Sequence, residues 1–135
     1  MKEVKYVKMP NFIDGVRVIN DIEEAVEWLK NGRTIARFEY GDSMYPLLES
    51  GEYCIIEPIK DLNKIEVGDT VLCEVGGRLM THMVMMKSNT SKETPYFLIG
   101  TTSLYAYGWT NKIYGLCKGT NFLEMPLDIE TAIEV

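Results

Sequence analysis

The sequence lacks the features that place a chain in a membrane or on nucleic acid. No apolar run approaches the roughly 20 residues that a spanning helix needs, and the N-terminal residues contain no apolar core of the secretory type. The 14 basic side chains are outnumbered by 20 acidic ones, the net charge is -6, and Lys and Arg are scattered along the chain. Because nucleic-acid binding needs a concentrated positive surface, we expect a cytoplasmic protein with no nucleic-acid partner and no membrane span.

Cysteine and histidine are also scarce. The three cysteines, Cys54, Cys73 and Cys117, lie far apart in apolar segments, and His82 is the one imidazole. An odd, dispersed set of this kind predicts buried reduced thiols, because an unpaired cysteine behaves as a small hydrophobic residue. Without a Cys-x-x-Cys pair or a second histidine, the sequence offers no metal site, and we expect no cofactor.

What the sequence does contain suits one domain with a single core, since 46% of the 135 residues are hydrophobic and 25% are charged. Residues 20–31 predict an amphipathic helix with Asn20 or Asp21 as N-cap and Gly32 after its end. Its acid-rich outer face favours a helix laid across one face of a sheet, with a partner-binding helix as the alternative. Apolar residues occupy the positions i, i+3, i+4 and i+7: Ile22, Ala25, Val26 and Leu29.

After the helix, short β-branched and aromatic runs alternate with turn-forming residues. Gly76-Gly77 predicts a two-residue hairpin turn that sets Val75 opposite Arg78, and therefore Val71 opposite His82. The polar stretch 87–95 is expected to be an exposed, mobile loop. The runs cover residues 34–40, 53–59, 70–75, 79–86, 96–100 and 112–118.

These patterns predict a mainly β (α+β), barrel-like domain with one N-terminal amphipathic helix. We divide it into an N-terminal extension with the helix (1–33), a β domain (34–125) and a C-terminal tail (126–135), all within one structural domain. A short helix after Pro126 and an extended tail remain open for the last segment.

The turn after the first predicted long strand has the sequence GDSMYP, residues 41–46. Its glycine permits unusual backbone angles and its proline fixes the chain just past Ser43. Such a turn exposes a hydroxyl and directs successive backbone N–H groups at one point, as an oxyanion site requires. A turn of this composition also fits simple loop chemistry, in which Asp42 or Ser43 caps neighbouring N–H groups.

Together with the segments that follow, this turn resembles the LexA-like and type I signal peptidases, over about residues 35–119. The family's Gly-x-Ser-Met and Ser-Met-x-Pro turns match Gly41, Ser43, Met44 and Pro46, and its Gly-Asp-x-Val segment matches residues 68–71. The family's general base lies on the strand that returns from the next hairpin. It is Lys in bacterial and LexA-like members and His in archaeal and endoplasmic-reticulum members, and His82 stands there in this chain.

The resemblance implies Ser43 as nucleophile, His82 as general base, and the N–H groups of Asp42 and Ser43 as the oxyanion site. The alternative for His82 is a half-buried imidazole packed among methionines, and Lys87 is the nearest alternative base. One departure concerns the supporting carboxylate. Where the family has Gly-Asp-Asn, this chain has a glycine followed by three hydroxyl residues, the candidates for orienting the imidazole by a hydrogen bond: Thr101, Thr102 and Ser103.

The resulting hypothesis is a standalone cytoplasmic Ser/His endopeptidase, of a kind that a phage or mobile element encodes, acting on an extended polypeptide. Self-cleavage is not favoured, because Asp14-Gly15 is the one X-Gly bond in the first 30 residues and its acidic residue fits an apolar cleft poorly. The alternative is a peptidase-fold protein without catalysis that binds a protein partner. Aromatic anchors for it would come from a glycine-containing loop: Tyr105, Tyr107 and Trp109.

Overall fold

The computed structural model describes residues 10–38, 52–88 and 94–122, and within them one α-helix and nine strands. A single 3₁₀ turn spans Leu62–Lys64. In chain order the elements are β1 (Phe12–Ile13), β2 (Val16–Arg17), α1 (Ile22–Lys30), β3 (Ile35–Phe38), β4 (Glu52–Pro58), β5 (Thr70–Val75), β6 (Arg78–Lys87), β7 (Phe97–Gly100), β8 (Ala106–Thr110) and β9 (Ile113–Phe122).

Seven of these strands form one antiparallel sheet in the order β3-β4-β9-β5-β6-β7-β8. The fold is therefore mainly β with one helix, as the sequence predicts. The barrel-like closure is not present among the described strands, because the two outermost strands, β3 and β8, do not pair with each other. The sheet stays open but curls, since bulges interrupt the pairing of β4 with β9, β5 with β9, β6 with β7 and β7 with β8.

Helix α1 lies across one face of the sheet and shares a core with it, so the predicted helix and its placement are confirmed. Asp21 caps the N-terminus, accepting a 3.0 Å hydrogen bond from the Glu24 N–H through its side chain. Gly32 follows the helix with φ of +78°, which a glycine adopts without strain. The core under the helix joins its apolar stripe to three strands: Ala25, Val26, Leu29, Ile35, Cys54, Ile56 and Leu72.

The predicted hairpin at Gly76-Gly77 is confirmed in detail. Both glycines have positive φ, Val75 pairs with Arg78, and Val71 pairs with His82. A second tight hairpin, which the sequence pattern did not indicate, joins β1 to β2 through Asp14 and Gly15, both at positive φ. The Asp14-Gly15 bond thus lies in a tight turn, whereas peptidase substrates are expected to be extended.

The sequence interpretation of residues 105–109 as a loop is wrong, because most of this segment is strand β8, paired with β7. None of the three cysteines, all of which lie in described strands, forms a disulfide. The predicted burial is confirmed for Cys54 and Cys73, whereas Cys117 is half-buried. No helix among the described residues has the length and apolar character to cross a membrane. The predicted loop is described only at its ends, because residues 89–93 lie outside the described residues, as does the 126–135 tail.

Candidate active site

The candidate nucleophile belongs to the segment that connects β3 to β4. The last described residue of β3, Phe38, pairs with Tyr53 near the start of β4. The segment between the two strands, residues 39–51, lies outside the described residues. All predicted residues of the turn are in it: Gly41, Asp42, Ser43, Met44 and Pro46.

The candidate base, His82, lies near the middle of β6, the strand that returns from the confirmed hairpin. It pairs with Val71 of β5, which in turn pairs with Leu116 of β9, so that three adjacent strands fix its backbone. Its neighbours on the same face of β6, Met80 and Val84, are buried, whereas His82 is half-buried. This face of β6 therefore presents the His82 side chain at the border of an apolar core.

No carboxylate of the described residues bonds the imidazole of His82 at Nδ1. Its Nδ1 is buried and has no hydrogen-bond partner among the described residues. Burial lowers the pKa of His82 below its ordinary value. The ring is therefore neutral at pH 7. In either neutral tautomer, Nδ1 stays without a hydrogen-bond partner among the described residues.

An aromatic ring packs on the face of the imidazole. Tyr107 of β8 stacks on the imidazole of His82 with ring centroids 4.6 Å apart and planes inclined by 30°. Tyr105 meets Tyr107 edge to face at 5.2 Å. Sequence reasoning missed this contact because it took the segment as a loop. The spacing of two between Tyr105, Tyr107 and Trp109 is the alternation typical of a strand and was the available signal.

None of the three hydroxyl residues after β7 bonds Nδ1 of His82 in the described structure. Thr101 is buried, and its hydroxyl is 3.0 Å from that of Ser103 and accepts a 3.2 Å hydrogen bond from the Tyr105 N–H. Its own N–H donates to the Tyr105 carbonyl at 2.8 Å. Leu104, at φ of +67°, completes the reversal. These residues close the turn that leads into β8, and Thr102 is half-buried beside them.

The segment matched to the Gly-Asp-x-Val pattern has a local structural role. Gly68 has φ of +95° and its N–H donates to the carbonyl of Val84, while the Val84 N–H donates to the carbonyl of Asp69, both at 2.8 Å. The Asp69 carboxylate accepts a 2.8 Å bond from the Glu66 N–H. Gly68 and Asp69 thus hold the start of β5 against Val84 of β6. Val84 is two residues from His82, so these bonds fix the strand that carries the imidazole.

Two other groups are poor alternatives for chemistry. The Lys87 ammonium donates a 2.7 Å hydrogen bond to the carbonyl of Asn63, at the far end of β6 from the hairpin. Burial raises the pKa of the Cys73 thiol to about 12, which keeps it protonated and unreactive. Among the residues that the structure describes, no three His, Cys, Asp or Glu side chains come together in a way that could hold a metal ion.

Comparison of the chain with protein-family models, with curated proteins and with solved structures found no match in any of the three.

Proposed function

We propose that the protein is a cytoplasmic serine endopeptidase that cleaves an extended polypeptide with a dyad of Ser43 and His82. The observation that carries the proposal is the state of His82. It is a half-buried, neutral imidazole fixed on a central strand beside a buried core, at the place where the peptidase motifs put the base. A general base must be unprotonated at the working pH, and burial achieves this here.

In the proposed reaction the Ser43 oxygen attacks the scissile carbonyl and its proton passes to the imidazole of His82. The oxyanion is stabilised by the backbone N–H groups of Asp42 and Ser43. The imidazolium then protonates the leaving amine as the peptide C–N bond breaks, which gives an acyl-enzyme. Water hydrolyses that ester with His82 again as base, and Ser43 regains its proton.

The buried, unpaired Nδ1 predicts slow turnover. The imidazolium that forms during the reaction carries an N–H at that position with no acceptor. In well-studied serine peptidases, loss of the carboxylate that accepts this bond lowers kcat by about 10⁴. We therefore expect a protein that acts on few substrates, at low rate, in the manner of a standalone phage or mobile-element processing enzyme.

The test is covalent capture of the serine. The wild-type protein is treated with a fluorophosphonate probe, which phosphonylates activated serines, and the labelled residue is located by peptide mass spectrometry. Ser43→Ala and His82→Gln should abolish labelling, whereas Ser88→Ala should not. Ser88 is a matched control because its hydroxyl accepts a 2.8 Å bond from the Tyr96 N–H, outside the site.

A second measurement identifies the substrate. New protein N-termini are compared in lysates treated with wild type or Ser43→Ala, alongside the intact mass of the protein itself. Cleavages specific to wild type would give the target sequence. No labelling of Ser43 and no new N-termini would reject the peptidase.

A second candidate function, favoured by the unpaired Nδ1 and by the surface of β8, is a non-catalytic protein that binds a partner. Four side chains at β8 and its entry turn are large and exposed: Leu104, Tyr105, Tyr107 and Trp109. Aromatic side chains of this kind are frequent anchors of interfaces. For a binder, Ser43→Ala and His82→Gln would leave partner capture intact, whereas Trp109→Ala would weaken it.

A further inference from the structure

The orientation of the His82 ring needs another cause, because no carboxylate or hydroxyl of the described residues bonds Nδ1. An imidazole on a strand is held by its backbone only up to Cβ, and rotation about its last side-chain torsion has a broad, shallow profile. In the described structure Nδ1 has no partner, so hydrogen bonding at this atom does not set the ring plane. A contact that restricts rotation is the face of Tyr107, with centroids 4.6 Å apart.

We infer that Tyr107 is the positioning residue of the site, and that its ring replaces the orienting carboxylate by holding the His82 imidazole through stacking. The catalytic consequence of this inference rests on the proposed Ser/His mechanism, whereas the positioning itself does not. At an inclination of 30°, a turn of the imidazole about its last torsion would break the contact between the two faces.

The stack also acts on charge. The face of a phenol ring carries negative electrostatic potential, so it attracts an imidazolium more strongly than a neutral imidazole. Tyr107 therefore stabilises the protonated state that His82 must reach when it takes the serine proton. A carboxylate would stabilise the imidazolium more strongly than Tyr107 does. It would, however, place a second charge beside His82, where burial already disfavours ions.

The ring of Tyr107 is also packed against a second tyrosine. The ring of Tyr105 packs edge to face against it at 5.2 Å, with planes inclined by 75°. The backbone of Tyr105 is bonded twice to Thr101, through its N–H and its carbonyl. The hydroxyl residues that sequence reasoning assigned to the ring therefore act one step away, by closing the turn that carries both tyrosines.

The experiment uses the fact that His82 is the single histidine of the chain. Its ring protons and nitrogens give one unambiguous set of signals in ¹⁵N-histidine-labelled protein. Those signals report ring-current shift, tautomer and pKa without any need for activity. They are recorded for wild type, Tyr107→Leu, Tyr107→Phe and Tyr96→Leu. The last variant is the control, because Tyr96 is an exposed tyrosine outside the stack.

We expect upfield-shifted imidazole protons in wild type, Tyr107→Phe and Tyr96→Leu, and loss of that shift in Tyr107→Leu. The rate constant for fluorophosphonate capture of Ser43 should fall about three- to tenfold in Tyr107→Leu alone, the range that one aromatic pair contributes. Unchanged His82 signals in Tyr107→Leu would overturn the positioning role. If wild-type Ser43 fails to react at all, the peptidase proposal is rejected, and the imidazole signals alone still decide the role of Tyr107.

Discussion

Thr110 and Glu74 connect the outermost strand β8 to β5 in the middle of the sheet. The Thr110 hydroxyl donates a 2.6 Å hydrogen bond to the Glu74 carbonyl and accepts a 3.0 Å bond from the Lys112 N–H. The Glu74 N–H also donates to the Lys112 carbonyl at 3.0 Å. Because Thr110 is buried, these bonds are shielded from water. They hold β8, and with it Tyr107, close to the strand that faces His82.

Thr110→Val should therefore lower the free energy of unfolding by about 0.5–1.5 kcal/mol, because it removes the hydroxyl that bonds the Glu74 carbonyl and the Lys112 N–H. Thr110→Ser retains the hydroxyl and should recover most of the loss. Urea unfolding of the three proteins measures the difference. Equal stability of wild type and Thr110→Val would show that this bond does not link β8 to β5 in solution.

The helix and the long strands were predictable because their signals are local. Asp21, the spacing of the apolar residues and Gly32 define α1 within the segment itself, and Gly76-Gly77 sets the register of β5 and β6. Strand β8 was not recognised because it depends on its partner. Its residues pair with β7 around a bulge. A glycine within the segment, Gly108, indicates a loop in the sequence, and in the structure it has φ of +149°. The open sheet was not predictable either, because closure depends on how several bulges add their curvature.

The candidate site divides in the same way. The position of His82 follows from a hairpin count, so the sequence was sufficient for it. The contact with Tyr107 joins two strands that are neither adjacent in the sheet nor paired, and no local pattern encodes it. Thr101 and Ser103 were identified as polar residues near the site, but their bonds close a turn because their hydroxyls face each other.

Gly115 of β9 marks the closest approach of α1 to the sheet. A Cβ built on Gly115 would overlap Cγ2 of Ile56 and lie 2.9 Å from Cδ1 of Leu29. Gly115→Ala should therefore destabilise the fold by about 1–3 kcal/mol through overpacking. Gly119→Ala, on the same strand, meets nothing within 4 Å and should be nearly neutral. Thermal and urea unfolding of both variants test this, and equal effects at the two positions would contradict the packing of α1 against β9.

The stability of the fold should depend on pH through His82. Burial lowers the pKa of His82 in the folded state, so the unfolded chain binds its proton more readily. The contribution of His82 to the free energy of unfolding should be constant above the ordinary histidine pKa of about 6.5. It should fall as the pH drops below that pKa. His82→Gln removes the effect. Between pH 7.5 and pH 5.5, urea unfolding should show a larger loss of unfolding free energy for wild type than for His82→Gln. Identical losses would disprove the lowered pKa of His82 in the folded state.

Gly100 connects the stability of the turn to the His82 stack, and its substitution is the strictest test of that connection. A Cβ on Gly100 would overlap the sulfur of Met85 and the backbone carbonyl oxygen of Tyr105. The Met85 side chain can rotate away, but the Tyr105 carbonyl accepts a 2.8 Å hydrogen bond from the Thr101 N–H and cannot move without opening the turn.

Gly100→Ala should therefore displace Tyr105 and Tyr107 together and release the imidazole of His82. Its ring protons should lose their upfield shift as in Tyr107→Leu, at temperatures where circular dichroism shows that the sheet is still folded. Gly119→Ala serves again as the control, since it adds the same methyl group at an open position. If the imidazole signals stay at their wild-type positions in folded Gly100→Ala, the turn does not support the stack, and Tyr107 must be held by β8 alone.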